Sequence, residues 1–462
     1  MTSGADVPRR EVVVIGGGLA GLTAAWRLRD RDVLVLEAEK RPGGRLFSLA
    51  RDPYWLNLGA GVFSAGASPV RDLIAEMGLE TRAIPGSTTA LALGDRIVKT
   101  GRLETYPLRL PLSPAARLSL IRAGARIRLA VARYHRLARP RPGESAEDIE
   151  RRVSAFEGDR SLAEFLGPLH PDVDAIFRAS AANRIGAELE TISANGGLGS
   201  FAYQWSGKAS TLNHNLLGGS GRLPEAIAQR LGERVVLGAT VVAVEPHDGE
   251  VAVTYRAGGD ERQVVAAAAI VATPADIART LVRGLPSALA GALGEIRHGA
   301  AVLVSALTGE DGPMPYDDVY ALITPKRSIT VLINVASTLR SGAERLPGGS
   351  LLVYRGGDGA RELMGASDAE VERVLLDGLY DVYPSTRGIV RETVVQRWER
   401  IVPFAHPGRQ RIQSALETPL ERVFLAGDYF GSWANMETAA ASGTRAARDA
   451  RVLLEATDTH ER

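Results

Sequence analysis

The sequence contains no cysteine. That excludes disulfide frameworks, Cys-bound zinc, iron–sulfur clusters, a thiol nucleophile and any cofactor tethered through sulfur. Neither sign of charge is in excess: 55 Lys and Arg against 54 Asp and Glu leave +1, which is no footprint for nucleic acid. No run is long enough to cross a bilayer. The longest charge-free stretch, Pro53 to Val70, has 18 residues and is broken by Pro, Gly, Asn and Ser, whereas a spanning helix needs about 20 mostly apolar ones. The seven histidines and scattered carboxylates show no H-E-x-x-H spacing, so no metal is expected. Arg9-Arg10 before an apolar run raises a twin-arginine export signal, but cleavage there would remove the glycine motif described next, and export is not expected. What remains is ordinary globular composition, 45% hydrophobic and 24% charged. The 462 residues suit two or three domains at about 150 each. Glycine is abundant, which points to tight turns or close backbone approach to a ligand.

The first chemical signal follows the N-terminus. Glu11-Val-Val-Val-Ile15 reads as a buried parallel strand and leads into Gly16-Gly17-Gly18-Leu19-Ala20-Gly21, a G-x-G-x-x-G. An Ala/Leu-rich helix to Leu28 and a second strand, Asp32 to Leu36, end in Glu37, 21 residues beyond Gly16. Each part has a physical job. Gly16 permits the turn, Gly18 lets backbone approach a pyrophosphate, and Gly21 lets helix pack on strand. The helix N-terminus offers N–H donors to phosphate, and Glu37 can accept from both ribose hydroxyls while disfavouring a 2′-phosphate.

Further on, Gly43-Gly44-Arg45 suits a loop folded back over a diphosphate and flavin. Near the other end, Val423-Phe-Leu-Ala-Gly427-Asp428 reads as a strand whose terminal carboxylate can accept from ribityl hydroxyls. Asn435-Met436-Glu437 then opens a small-residue helix that can aim N–H groups at an electron-rich carbonyl edge.

Together these segments resemble the flavin-containing amine oxidase superfamily, which includes monoamine and polyamine oxidases, protoporphyrinogen oxidase and phytoene-type desaturases. Two central stretches are similar as well: Gly218 to Leu223 with the single strand-like run Val235 to Val244, and Ile270 to Pro274. The resemblance implies non-covalent FAD held by Gly16, Gly18, Ala20, Gly21, Glu37, Gly44, Arg45, Gly59, Val241, Gly427, Asp428 and Met436, with Val241 meeting adenine through its backbone. It implies an α/β (α+β overall) fold: a Rossmann-like FAD-binding domain from 1–85, 218–290 and 395–462, with an interleaved α+β substrate domain from 86–217 and 291–394.

The middle of the chain looks most like protoporphyrinogen oxidase: a hairpin and helical arm from Arg96 to Ile121, then Ser350–Gly357, and Gln396-Arg397-Trp398 with Pro403 and Gly408. Departures are informative. Gly299 to Leu307 lacks the lysine that many amine oxidases keep there, while Asp428 to Gly431 looks more like a phytoene desaturase. The expected activity is hydride removal from a hydrophobic small molecule, protoporphyrinogen oxidase-like. Alternatives are an amine oxidase, a carotenoid-type desaturase, or an idle FAD-binding subunit. No second strand-linked dinucleotide motif is visible, so oxygen or a quinone-like acceptor should reoxidise the flavin. Trp398 is a candidate wall of the substrate site. His406 is a candidate proton acceptor, though a lone loop histidine is expected to be solvated. Trp55, Trp205 and Trp433 read as core. Residues 117–141 carry eight arginines and no acid; they read as a solvated helix or as an anchor for peripheral membrane contact. Ala138 to Glu147 reads as an exposed loop. The expected location is cytoplasmic, or peripheral to a membrane.

Overall fold

A computed structural model describes residues 7–88, 90–204, 212–341, 345–431 and 434–460. Trp205 and Trp433 lie outside the described residues; Trp55 is buried. The β-branched run at the N-terminus forms the strand Arg9–Ile15, whose last four residues are at most 2% exposed. It is flanked in parallel by Val33–Glu37 and by the C-terminal half of Asp260–Val271. Val235–Leu237 and Val423–Leu425 extend the parallel sheet on either side. Side chains alternate between two cores, as a doubly covered parallel sheet requires. Val12 and Val14 face the helices Leu19–Arg27 and Met436–His460, while Val13 and Ile15 face helices Ala275–Leu281 and Ser287–Glu295.

The run from Val235 to Val244 is not one strand. Gly238, at φ +70°, turns the chain after Leu237, and Ala239–His247 pairs instead with Glu250–Ala257 in an antiparallel meander. A left-handed glycine ends the parallel pairing where a branched residue would have continued it.

A second sheet of seven strands runs in the order Val390–Trp398, Ala301–Thr308, Gly349–Gly356, Val331–Asn334, Ala321–Ile323, Ala90–Leu93, Arg96–Val98. The hairpin expected before the arm is its edge, turned at Gly94, φ +56°. The strand Val390–Trp398 crosses residue 395 and lies wholly in this sheet. Helices Pro114–Leu137, Pro171–Ile185 and Ala194–Gln204 pack beside it around Leu162, Ile176, Phe177 and Leu198. The stretch from Ala138 is irregular until a helix begins at Ala146.

Candidate active site

Parallel strands in register deliver their C-terminal ends to one edge. Ile15 pairs with Leu36 and with Val271, and Val271 pairs with Leu425. Gly16–Gly18, Glu37 and Ala426–Asp428 therefore emerge side by side, in the crevice where such sheets bind ligands.

The three fingerprint glycines do different work. Gly16, at φ +102°, lies so close to the Ala272 carbonyl that a Cβ would come within 2.8 Å of its oxygen. A Cβ on Gly21 would overlap the Gly16 carbonyl oxygen. Around Gly18, by contrast, a Cβ would meet nothing within 4 Å. That open space fronts the helix Leu19–Arg27, which has no side-chain cap, and the first amide to bond back is Leu22, to the Gly18 carbonyl at 2.9 Å. The amides of Leu19, Ala20 and Gly21 precede it, so a partial positive charge faces the gap.

Glu37 closes one side. It is 8% exposed, and its carboxylate accepts from the Gly17 amide at 2.5 Å and the Glu39 amide at 2.8 Å. Burial raises its pKa above the ordinary value, partly opposed by those two donors. The loop at Gly43–Arg45 folds over the glycine turn: the Gly43 amide donates to the Gly17 carbonyl at 2.7 Å, and a Cβ on Gly44 would stand 3.5 Å from the Gly18 Cα. Arg45 then reaches Asp428 with both terminal nitrogens at 2.8 Å and the Ile401 carbonyl at 3.0 Å. Gly59 must be small because a Cβ there would overlap the Arg45 carbonyl oxygen. The Gly427 amide donates to Ser442 Oγ at 2.9 Å.

Two expected contacts sit further out. Val241 lies where the strand Ala239–His247 slips register, between the pairs Val241–Tyr255 and Ala243–Thr254. Met436 opens the C-terminal helix, capped by Asn435 Oδ1 on the Thr438 amide at 2.9 Å. Glu437 points elsewhere, accepting from Ser68 and the Val70 amide. A pocket with free helix amides, a buried ribose-type acid and unfilled space at Gly18 fits a dinucleotide diphosphate.

Trp398 ends its strand beside this pocket, half-buried, donating from Nε1 to the Leu58 carbonyl at 2.7 Å. His406 corrects the sequence expectation of a solvated loop residue. It is only 6% exposed, and Nδ1 lies 3.0 Å from the Pro407 carbonyl. The chain there is pinned to the start of helix Ala194–Gln204, with the Ser193 amide donating to the Ala405 carbonyl at 2.7 Å. Burial lowers its pKa. Sequence reading missed His298. Its short strand pairs with Pro403, and burial together with the Arg45 charge lowers its pKa to about 4. Asp428, Asp276 and Arg400 act on it electrostatically. The only sequence signal was adjacency to the lysine-free strand that begins just after it.

An apolar cavity of about 320 Å³ lies between helices Pro114–Leu137, Pro171–Ile185 and Ala194–Gln204. Leu91, Leu110, Leu162, Ile176, Phe177 and Phe201 line it, with Asn183 and Arg184 among the few polar groups and Glu104 ion-paired to Arg128 at 2.7 Å. A chain of backbone hydrogen bonds links its lining to Arg45. Ile185 lines the cavity, the next residue's carbonyl accepts the Ala300 amide at 2.9 Å, Gly299 accepts from Ile401 at 2.9 Å, and Ile401 accepts from Arg45. A Cβ on Gly299 would overlap the Ile185 carbonyl oxygen, so this wall admits only glycine there.

Residues 19–451 match the family model described as flavin containing amine oxidoreductase. Over 95% of this chain and 90% of its own length, an L-amino acid oxidase of Bothriechis schlegelii is 24% identical. A coproporphyrinogen III oxidase of Staphylococcus aureus is 31% identical over 83 residues, 17% of this chain and 18% of its own. Among solved structures, a cyclohexylamine oxidase from Brevibacterium oxydans superposes with a TM-score of 0.75 at 20% identity, covering 97% of this chain and all of that one.

Proposed function

The chain belongs to the flavin containing amine oxidoreductase family, and from that premise we propose that this FAD-dependent oxidoreductase removes a hydride from a hydrophobic small molecule. The observation that supports this reading is the cavity beside the Gly186–Gly299–Ile401 segment, aliphatic and aromatic on most sides, which suits a hydrophobic ligand.

FAD supplies the hydride acceptor when bound. The protein contributes position, dryness and electrostatics. Glu37, the Leu19–Gly21 amides and the Gly43–Arg45 loop hold the dinucleotide, Val241 and Met436 its two ends, and Asp428 its ribityl chain. Trp398, locked by its hydrogen bond to Leu58, walls the side toward the substrate. His298 is neutral at physiological pH, so it adds no charge beside the Arg45–Asp428 pair. The cofactor segments make one unit and the second sheet with its helices makes the other. Oxygen or a lipophilic acceptor reoxidises the flavin in this reading.

A tetrapyrrole-type substrate is the first version of it, because Gly299 to Leu307 carries no lysine and the one acid in the cavity lining is already paired. An amine is the second, favoured by the L-amino acid oxidase that matches over nearly its whole length. Anaerobic bleaching of the bound flavin distinguishes them. Porphyrinogens should bleach it faster than L-amino acids, diamines or cyclohexylamine. Bleaching by simple polyamines alone would overturn the hydrophobic-substrate reading.

A further inference from the structure

The helix Pro114–Leu137 has three faces. One is buried: Ala116, Ala123, Ile127, Ala130 and Val131 pack into the core of the substrate unit. A second is basic, with Arg122, Arg126 and Arg133 exposed. The third was not visible from sequence. Leu118, Ile121, Ala125 and Leu129, spaced by three, four and four, form one exposed apolar stripe. Leu118 and Ile121 are 47% exposed and Leu129 is 74% exposed; Leu108, in the turn before the helix, is also 74% exposed. Among the described residues only eight large hydrophobics are exposed, and these four are half of them. Single exposed leucines need no account, but clustering does.

The stripe is continuous with the cavity. Ile121 and Ala125 belong to both, and Leu120, Gly124 and Arg128 line the same wall. Charge surrounds it: between Glu104 and Glu144 the chain has nine arginines and no acid. Several of these hold local carbonyls, such as Arg117 on Pro107 at 2.8 Å and Arg126 on Phe165 at 3.0 Å, which fixes the basic rim rather than leaving it to swing. No helix of the described residues is long and apolar enough to cross a membrane.

We propose that this arm lies flat on an anionic bilayer surface, with the Leu108–Leu129 stripe in the acyl boundary and the arginines among the headgroups, so that the cavity takes its apolar ligand from the lipid. The occupant follows from charge complementarity and from the shared mouth: an apolar stripe with an arginine-rich rim, its one acid Glu104 paired to Arg128, fits an anionic interface. The route of arrival rests on the reading of the cavity as substrate site; the seating itself does not.

The absence of cysteine makes the test clean. In the FAD-loaded full chain, Leu129→Cys and, separately, Val452→Cys on the opposite unit are labelled with an environment-sensitive thiol dye. With phosphatidylcholine vesicles containing phosphatidylglycerol, the dye at position 129 should shift to the blue and the one at 452 should not. Co-sedimentation should weaken with salt, and Arg122→Gln and Arg136→Gln should each lower partitioning about fivefold. Leu118→Asp should abolish it while flavin bleaching in solution continues. Equal sedimentation with neutral and anionic vesicles, without a shift at position 129, would overturn the seating. So would a concentration-dependent dimer that shifts the dye without lipid, because a second copy would then cover the stripe. Protein that turns over in solution but ignores vesicles loses the seating alone. Protein that binds vesicles yet is never bleached by any porphyrinogen or amine loses the substrate reading alone.

Discussion

Glu37 combines two opposed demands. Its carboxylate accepts from the Gly17 amide of the glycine turn and from the Glu39 amide of its own loop, yet burial raises its pKa above the usual 4.5. A raised folded-state value means its contribution to stability is present below pH 4.5 and lost as pH rises through the folded value. At neutral pH the ionised group is therefore under-solvated until ribose hydroxyls donate to it. FAD binding should release a proton and tighten as pH rises through the raised value, and the pH dependence of the dissociation constant should flatten in Glu37→Gln. Glu37→Ala should weaken FAD binding by about 1.5–3 kcal/mol per charge-assisted bond removed; an unchanged constant would show that Glu37 is not the ribose acid. His298 runs the opposite way. Its value falls from 6.5 to about 4, so its contribution is present above pH 6.5 and lost as pH falls through about 4. His406 shifts in the same direction. Urea midpoints of the wild type should drop across that range, and His298→Phe should remove part of the drop; identical slopes would sink the assignment.

At the scale of elements, the glycines of one motif separate packing from binding. Gly18 has φ −72° and open space where a Cβ would go. Gly18→Ala should leave the unliganded fold within about 1 kcal/mol, the cost of a poorer helix cap, yet weaken FAD by blocking the approach of the diphosphate. Gly443→Ala is the contrast. Its Cβ would overlap the Ala20 carbonyl oxygen where helices Leu19–Arg27 and Met436–His460 pack together. Overpacking of this kind costs about 1–3 kcal/mol. Thermal melting of the two apo variants, paired with FAD titration, checks both. Equal melting with equal FAD affinity would refute the distinction.

For the whole molecule, the candidate cofactor site is assembled from segments hundreds of residues apart. The Arg45–Asp428 pair alone spans 383 positions. A ligand held across such segments stabilises them by linkage, about 2.7 kcal/mol at a hundredfold excess over its dissociation constant. FAD addition should raise the melting temperature, and acid should release intact FAD into the supernatant, since the chain has no cysteine to tether it. NADH or NADPH should not bleach the flavin rapidly under anaerobic conditions, because a single dinucleotide fingerprint is committed to FAD. Fast saturable bleaching by either would point to a different cycle.

The sequence by itself determined the segments that meet at the carboxyl edge of the parallel sheet. Gly16–Gly21, Glu37, Gly43–Arg45 and Gly427–Asp428 are contiguous signals whose chemistry depends on local backbone: a turn, a helix end, a strand terminus. It could not determine what depends on packing between distant segments. The run from Val235 splits at Gly238 because Ala239–His247 finds its antiparallel partner in Glu250–Ala257. His406 is buried because helix Ala194–Gln204 closes over its loop, and His298 joins the site only through pairing with Pro403. The stripe of Leu118, Ile121, Ala125 and Leu129 has helical periodicity like the buried stripe on the opposite side of the wheel. Only tertiary structure decided which of the two faced the core, because a helix with two apolar faces buries the one its neighbours cover.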